Sequence, residues 1–499
     1  MRVQFVAAEI FPLAKTGGLA DVCAALPRAL AERGVDVRLT MPAYESALDQ
    51  ALAPVVAADL GEVLGVERVR LLRARAPDSG LPLWLVDAPA LFRRSGGPYQ
   101  DAEGRDWPDN ARRFAVLAHA AARIALGRAG LDWVPDVVHC HDWHAGLVPL
   151  LLRAAAERPP SLFTVHNMSF QGTFPESTLG GLGLPVAGLT DGLEFYGQLS
   201  FLKAGLSFAD GLTTVSETYA REIQTPEFGH GLDGLVRQRA SALTGILNGI
   251  DTELWNPRID PFLAATFARD DLAGKRACKA ALQSEFGLDL DPTAPLMISV
   301  CRLTGQKMAD VVLDSLPAML SRWPRLQFAL LGRGEAWLEH GFMRLAQGFP
   351  GRVSVRIGYD ERQAHRLHGG GDMILHGSRF EPCGLAQMYA MRYGTVPVVS
   401  RVGGLADTVC DADSRAIIEG RASGVVFGPP TAAGLTEGVA RALDLFSQPV
   451  AWRKIQRHAM VADFSWRQSA KSYHRRYRAA AGAAPCGAAA VPVAEREVA

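Results

Sequence analysis

Residues 15–22 read KTGGLADV, a lysine and two adjacent glycines set between the apolar run VQFVAAEIF and the helix-like CAALPRAL. Glycine lets backbone approach a ligand closely, and a helix start offers unpaired N–H groups and partial positive charge. With Lys15 as a cation, Gly18 at the turn and Asp21 beyond it, the octet can face a phosphate. The same letters also suit a tight turn with a solvated lysine. Neither the G-x-x-x-x-G-K-[ST] nor the G-x-G-x-x-G spacing is present. GGLAD returns at 403–407, but it is built from residues common in this chain and is no proof of duplication.

The segment CRLTGQKMADVV, from Cys301, follows an apolar run with Arg302 and Lys307. An arginine fork and a lysine point charge on one loop can clamp a diphosphate, although loop cations are commonly just solvated. In ILHGSRFEPCGLAQ, a strand is expected to end near Leu375 and a helix to begin near Leu385. Glu381, in the loop between, can accept hydroxyl hydrogen bonds or oppose positive charge in a transition state. Its other reading is a carboxylate facing the helix dipole. Pro382 and Gly384 shape that loop for close approach, and the amides of Leu385 and Ala386 point into it.

HCHDWH places His139, His141 and His144 around Asp142. These are zinc-ligand types, but no C-x-x-C or H-E-x-x-H spacing accompanies them, so no metal is expected. Polar residues lining a binding surface at a strand end is the favoured reading. His166 and Asn167, in FTVHNMSFQG, read the same way.

Strand-like runs position these residues. They are RVQFVAA, VDVRLTMP, RVRLLRARA, LPLWLVDAP, DVVHCHD, SLFTVHN and GLTTVS in the first half. In the second they are APLMISVCRL, LQFALLG, VSVRIGY, DMILHGS, VPVVSRVGG and GVVFGPP. Helical patterns such as WHAGLVPLLLRAAAERPP and ADVVLDSLPAMLSRW lie between them, which predicts parallel strands with right-handed crossovers. The turn-rich stretch GILNGIDTELWNPRIDPFLAATFARDD reads as a hinge. Two doubly wound α/β domains follow, with a helix in SWRQSAKSYHRRYRAAA and a small-residue tail expected to be disordered.

The 499 residues exceed one ordinary core. Lys plus Arg and Asp plus Glu each number 52, so bulk charge implies no nucleic-acid partner. Seven scattered cysteines without a C-x-x-C pair argue against a disulfide framework and for a reducing cytoplasm. The N-terminal run is short, contains Glu9 and lacks a secretory pattern. No uncharged run reaches a membrane span.

Taken together, KTGGLADV, VHCHDWHAGL, FTVHNMSFQG, ILNGIDTELWNP, RLTGQK, IGYDERQAH, SRFEPCGL and GGLADTV resemble the bacterial glycogen synthases and plant starch synthases. These are retaining enzymes of glycosyltransferase family 5. The resemblance implies the GT-B fold, two doubly wound Rossmann-like domains facing across a deep cleft. Its domains would be 1–245 on the acceptor side, 246–456 on the donor side, a helix at 457–480 crossing back and a tail at 481–499. It implies glucose transfer from ADP-glucose to the 4-hydroxyl end of an α-1,4-glucan, with no cofactor. The alternatives are another retaining enzyme of this fold using UDP-glucose or a small acceptor, a nucleotide-sugar epimerase, or an inactive binding homologue.

Carried onto this sequence, Lys15, Gly18, Arg302 and Lys307 resemble the diphosphate set, and Asp21 lies in the donor-side turn. Tyr359 resembles the residue on the nucleobase. His166, Asn248, Glu381, Cys383 and Gly384 resemble the sugar pocket, with Leu385 following, and Tyr99, Asp142 and Asn167 the acceptor side. Glu381, His166, Arg302 and Lys307 are the expected catalytic residues. Three positions depart from the family pattern: Met308 stands where glycine is usual, Arg333 replaces a small polar residue, and Ala386 replaces Thr or Asn.

Overall fold

The computed structural model describes residues 1–184 and 190–482. The chain divides into two compact units. The first comprises Met1–Val215, Ala220–Ile246 and the C-terminal segment from Trp466; the second comprises Ser216–Tyr219 and Leu247–Ser465.

The first unit carries β1 (Arg2–Val6), β2 (Asp36–Pro42), β3 (Leu52–Asp59), β4 (Arg70–Arg75), β5 (Pro82–Asp87), β6 (Val137–His141), β7 (Ser161–Val165), β8 (Thr173–Pro175), β9 (Glu194–Phe195), β10 (Gln198–Ser200), β11 (Gly211–Thr214) and β12 (Leu243–Gly245). Nine of them form one sheet in the order β12-β11-β7-β6-β1-β2-β5-β4-β3, and β8, β10 and β9 form a small antiparallel one. From β12 to β5 the pairs are parallel. The central strands β6 and β7 are buried at every position, as expected of strands covered on both faces.

The expectation of parallel pairing fails at one edge, where β4 runs antiparallel to both β5 and β3. Residues 76–81 between β4 and β5 are too few for a crossover helix, which needs a dozen or so, and they form a hairpin instead. β3 was not among the expected strands. It is an exposed edge strand, and its side chains lack the alternation that marks a half-buried one. The helix read from WHAGLVPLLLRAAAERPP is also shorter than its pattern. It is a 3₁₀ turn at Trp143–Ala145 followed by an α-helix at Leu147–Arg153.

The second unit carries β13 (Leu296–Leu303), β14 (Gln327–Gly334), β15 (Val353–Ile357), β16 (Met373–His376), β17 (Val396–Ser400) and β18 (Val425–Phe427). They pair in parallel in the order β15-β14-β13-β16-β17-β18. Successive residues of β13 feed separate cores: Met297 joins Leu316, Phe328 and Leu375 on one face, while Leu296 and Ile298 join Leu282, Leu331 and Leu367 on the other. This double coverage is the doubly wound arrangement.

The C-terminal helix Trp466–Gly482 belongs to the first unit, where it packs against the helix Gly18–Ala31. Its Tyr477 hydroxyl lies 2.7 Å from His139 Nδ1. The tail expected beyond this helix lies outside the described residues. Among the described residues no helix is long and apolar enough to cross a membrane.

Candidate active-site residues

In the first unit, β1 delivers Glu9 to a buried position just before the glycine turn. Its carboxylate accepts hydrogen bonds from the Thr16 amide, from Thr16 Oγ1 at 2.6 Å, from the Gly17 amide at 3.3 Å and from the Tyr99 hydroxyl. This fixes the loop ahead of the helix Gly18–Ala31. Neither glycine is required by the fold. Gly17 is in ordinary extended backbone, and a Cβ added at Gly17 or Gly18 would meet nothing within 4 Å. Lys15 Nζ lies 2.8 Å from Asp21 Oδ1, and both side chains are 31% exposed.

The second GGLAD has a different physical basis. Gly403 has φ +40°, and a Cβ on Gly404 would lie 2.2 Å from the Cys383 carbonyl oxygen. Those glycines serve the packing of a short helix, Gly403–Thr408, against the Glu381–Cys383 loop. The repeated letters therefore mark an open turn once and a close backbone crossing once.

At the end of β6, Asp142 holds φ +53° and ψ −176°, a region that non-glycine residues occupy at a cost of about 1–3 kcal/mol. Its carboxylate accepts the His166 amide at 2.7 Å and also the Asn167 amide. Burial pushes the Asp142 carboxyl up to about 7, against those two bonds and with the Glu9 charge adding to the rise. His166, at the end of β7, keeps some accessible surface, yet its burial pulls the pKa down to about 3. It is a neutral imidazole at pH 7, with Nε2 2.9 Å from His141 Nδ1. Asn167 turns its Oδ1 to the amide and hydroxyl of Ser169 at 3.0 and 2.7 Å. Tyr99 stacks on His144 with centroids 4.5 Å apart. Both His139 nitrogens are engaged, by Tyr477 and by Thr164 Oγ1 at 2.6 Å. Among the described residues no three His, Cys, Asp or Glu side chains converge as a metal set.

In the second unit, the loops leaving β13 and β16 bring Lys307 and Glu381 into a buried ion pair, with side chains 13% and 6% exposed. Glu381 Oε2 also accepts from Ser378 Oγ at 2.9 Å and sits 3.1 Å from His376 Nε2. Burial alone would push the Glu381 carboxyl up. The Lys307 ammonium and the His376 bond outweigh it and hold the group well below the usual carboxylate range. Burial lowers the His376 pKa, so the ring is neutral, and because a carboxylate only accepts, the bond to Glu381 requires the ring proton on Nε2. Its other nitrogen, Nδ1, is buried without a partner, as are Asn248 Oδ1 and Thr304 Oγ1. Unsatisfied buried polar atoms are costly and rare in native proteins.

Arg302 ends β13 exposed, with Nη2 3.3 Å from Gln306 Oε1. Arg333 is its register partner on β14, so a second guanidinium leaves the sheet beside it. Tyr359 follows β15, 63% exposed, and its hydroxyl donates to Glu361 at 2.7 Å. Gly384 needs its glycine for the backbone, with φ +73°. Leu385 precedes the helix Ala386–Arg392, whose first residue has only a methyl where a hydroxyl or amide is usual. Burial pushes the Cys383 thiol up to about 12, so it is a neutral thiol. Met308 has φ +52°, the left-handed conformation that glycine adopts freely. Its side chain, fully buried beside Leu303 and Leu375, compensates for the missing glycine.

Sequence reasoning did not single out Glu9, Thr304, His376 or Ser378. Glu9 had a signal, a carboxylate inside an apolar run with no nearby cation in sequence. His376 and Ser378 had none beyond their place in the Glu381 segment.

Two largely parallel α/β units with charged groups at the carboxyl ends of their strands are a frame on which nucleotide-type ligands bind. Residues 2–238 match the starch synthase catalytic domain and residues 283–458 match the glycosyl transferases group 1 domain. The chain is 57% identical to the glycogen synthase of Burkholderia thailandensis, over 95% of this chain and 90% of that one. It is 49% identical to glycogen synthase 1 of Methylococcus capsulatus, over 96% and 97%. The solved catalytic domain of starch synthase IV from Arabidopsis thaliana, bound to ADP and acarbose, superposes with a TM-score of 0.85 at 32% identity, covering 97% of this chain and 99% of that one. The chain belongs to the glycogen and starch synthase family.

Proposed function

We propose that this protein is a retaining glucosyltransferase that moves glucose from ADP-glucose to the non-reducing 4-hydroxyl end of an α-1,4-glucan, the elongation step of glycogen biosynthesis. Family membership and the match to an ADP-bound starch synthase support this reading. The observation that carries it is the buried Lys307–Glu381 pair, with His376 and Ser378, at the carboxyl ends of β13 and β16. In open parallel sheets that edge is where ligands bind.

The reaction breaks the bond between the sugar's anomeric carbon and the diphosphate and makes one to the acceptor oxygen, whose hydroxyl proton passes to the departing diphosphate; ADP leaves. Negative charge grows on the diphosphate and positive charge on the ring. Lys307 and Arg302 answer the first charge, with Lys15 and the amides above Gly18 as further donor-binding groups. Lys15 is held by Asp21 in a part-exposed pair worth no more than about 1 kcal/mol, so a diphosphate can recruit it. Glu381, kept ionised, answers the second charge, with the carbonyl near His166. Neutral His166 supplies hydrogen bonding rather than charge. We assign Asn248, Cys383, Gly384 and Leu385 to the sugar, Tyr359 to the nucleobase, Asp21 to the donor-side turn, and Tyr99, Asp142 and Asn167 to the acceptor. On this reading 1–245 is the acceptor-side domain and 246–456 the donor-side domain, in a cytoplasmic enzyme. Preorganised charge of this kind is worth roughly 2.7–4 kcal/mol for each group removed.

The test is Glu381→Ala. Turnover should fall by about a hundredfold or more while ADP affinity, read by calorimetry, changes little, because the carboxylate acts chiefly in the transition state. Unchanged turnover removes Glu381 from the chemistry.

A further inference from the structure

The second unit has a second concave surface, at the opposite edge of its sheet. A groove of about 840 Å³ is lined by the segments entering β13, β14 and β16, at Pro295, Leu326 and Asp372, and by the helices around them. The eight residues of β13 separate it from the Lys307 edge. At about 3.3 Å per residue that is roughly 25 Å, so the groove is no extension of the donor site. Its volume is in the range of small-molecule sites.

Seven basic side chains and three carboxylates line it. Lys279 is committed to Asp372 at 2.6 Å, and Lys275 to the carbonyls of His368 and Gly369 and to Thr395 Oγ1. Arg325 is paired with Asp291 at 2.7 Å. Arg276, Arg322, Arg453 and Arg457 are exposed and have no carboxylate partner among the described residues. Helix dipoles account for two of them, since Arg322 and Arg457 lie in the last turns of their helices. They do not account for the others. Arg276 sits in the first turn of Ala273–Glu285, where a cation is disfavoured. Arg453 stands four residues before Arg457 on one helix face, a like-charge spacing that costs stability. Two half-buried rings, Trp323 and Phe446, lie among these cations, with Arg322 over Trp323 at 4.7 Å and Lys279 over Phe446 at 5.5 Å. Guanidiniums without carboxylate partners lining one concave surface beside aromatic rings are groups suited to phosphate oxygens, which arginine binds in pairs.

We propose that this groove is a second ligand site, taking a small, multiply charged phosphate ester. Phosphoryl groups span Arg276, Arg322, Arg453 and Arg457, and the body of the ligand lies over Trp323 and Phe446.

The test is calorimetric titration of the full chain, with ADP present in excess, using inorganic triphosphate as the probe. A hexose bisphosphate and a nucleoside triphosphate serve as parallel arms to distinguish a sugar from a nucleoside ester. One site is expected, weakening steeply with salt. Binding should fall about a hundredfold in the Arg322→Gln/Arg453→Gln protein, each lost charged bond being worth about tenfold. That variant should keep its circular dichroism and its basal transferase activity. Retention of triphosphate binding by Gly18→Val separates the groove from the donor site and supports the proposal. Equal binding by wild type and the double-arginine variant overturns it, as does absence of any saturable binding. Tighter capture of a single-stranded RNA oligomer that triphosphate cannot displace also overturns it, assigning the surface to a macromolecule.

Discussion

Replacing Lys307 with methionine should reverse the way this protein's stability responds to acid. Methionine keeps the length and the apolar stem and removes only the ammonium. Glu381 then loses the cation that outweighs its burial, keeping only Ser378 and His376. In the wild type its folded pKa is depressed, so its contribution is complete at neutral pH and is lost as pH falls through the acid range. In the variant burial dominates and the folded pKa is raised, so stability is intact in acid and is lost as pH rises. The cost is capped by protonation. Neutralising a carboxyl of ordinary pKa about 4.3 at about pH 7.5 takes roughly 4 kcal/mol, and at about pH 5 only about 1 kcal/mol. The cap agrees with the roughly 3–5 kcal/mol typical of breaking a buried pair. Urea unfolding followed by tryptophan fluorescence at both pH values measures it. The predicted loss is about 3–4 kcal/mol near pH 7.5 and about 1 near pH 5, with the pH dependence removed in Lys307→Met/Glu381→Gln. An equal loss at both pH values, or a loss below about 1 kcal/mol near pH 7.5, refutes the reasoning.

Gly18→Val should leave the melting temperature nearly unchanged, since an added Cβ meets nothing within 4 Å, while lowering kcat/KM for ADP-glucose by about a hundredfold; a normal rate makes the turn purely structural. Asp142→Asn removes a carboxyl raised from 3.8 to about 7. A raised folded pKa gives stability that is lost as pH climbs from about 4 to 7, so relative to wild type the variant should gain up to about 4 kcal/mol between about pH 4 and pH 8, read from unfolding midpoints. A pH-independent difference contradicts this. Met308→Gly relieves left-handed strain of about 1–2 kcal/mol but empties a core position worth about 2–5, so a net loss of about 1–3 kcal/mol is expected in urea unfolding, and a stabilised variant contradicts it.

Lys15, Lys307 and Glu381 stand out as candidates because charged residues beside Gly and Pro at the end of an apolar run are conspicuous in sequence. The second sheet was legible for a related reason: continuous apolar runs separated by helical periods leave parallel pairing as the simple solution. What the letters hid depends on three-dimensional closure. His376 and Ser378 matter because the loop after β16 folds back to place Glu381 over them, a relation with no spacing rule. Glu9 is tied to Tyr99, ninety residues away. The strain at Asp142 is a backbone property of a residue type that gives no warning of it. The antiparallel edge was missed although residues 76–81 are plainly too short for a crossover. The two GGLAD copies show the converse limit, identical letters supporting an open turn in one place and a tight crossing in another.

The most direct test is transfer of radiolabelled glucose to glycogen by the purified protein, from ADP-glucose and UDP-glucose in parallel. Label incorporated from ADP-glucose into α-1,4-linked chain ends, with little from UDP-glucose, is the predicted result. Incorporation from UDP-glucose alone, release of an altered sugar nucleotide without an acceptor, or no transfer from either donor contradicts the account.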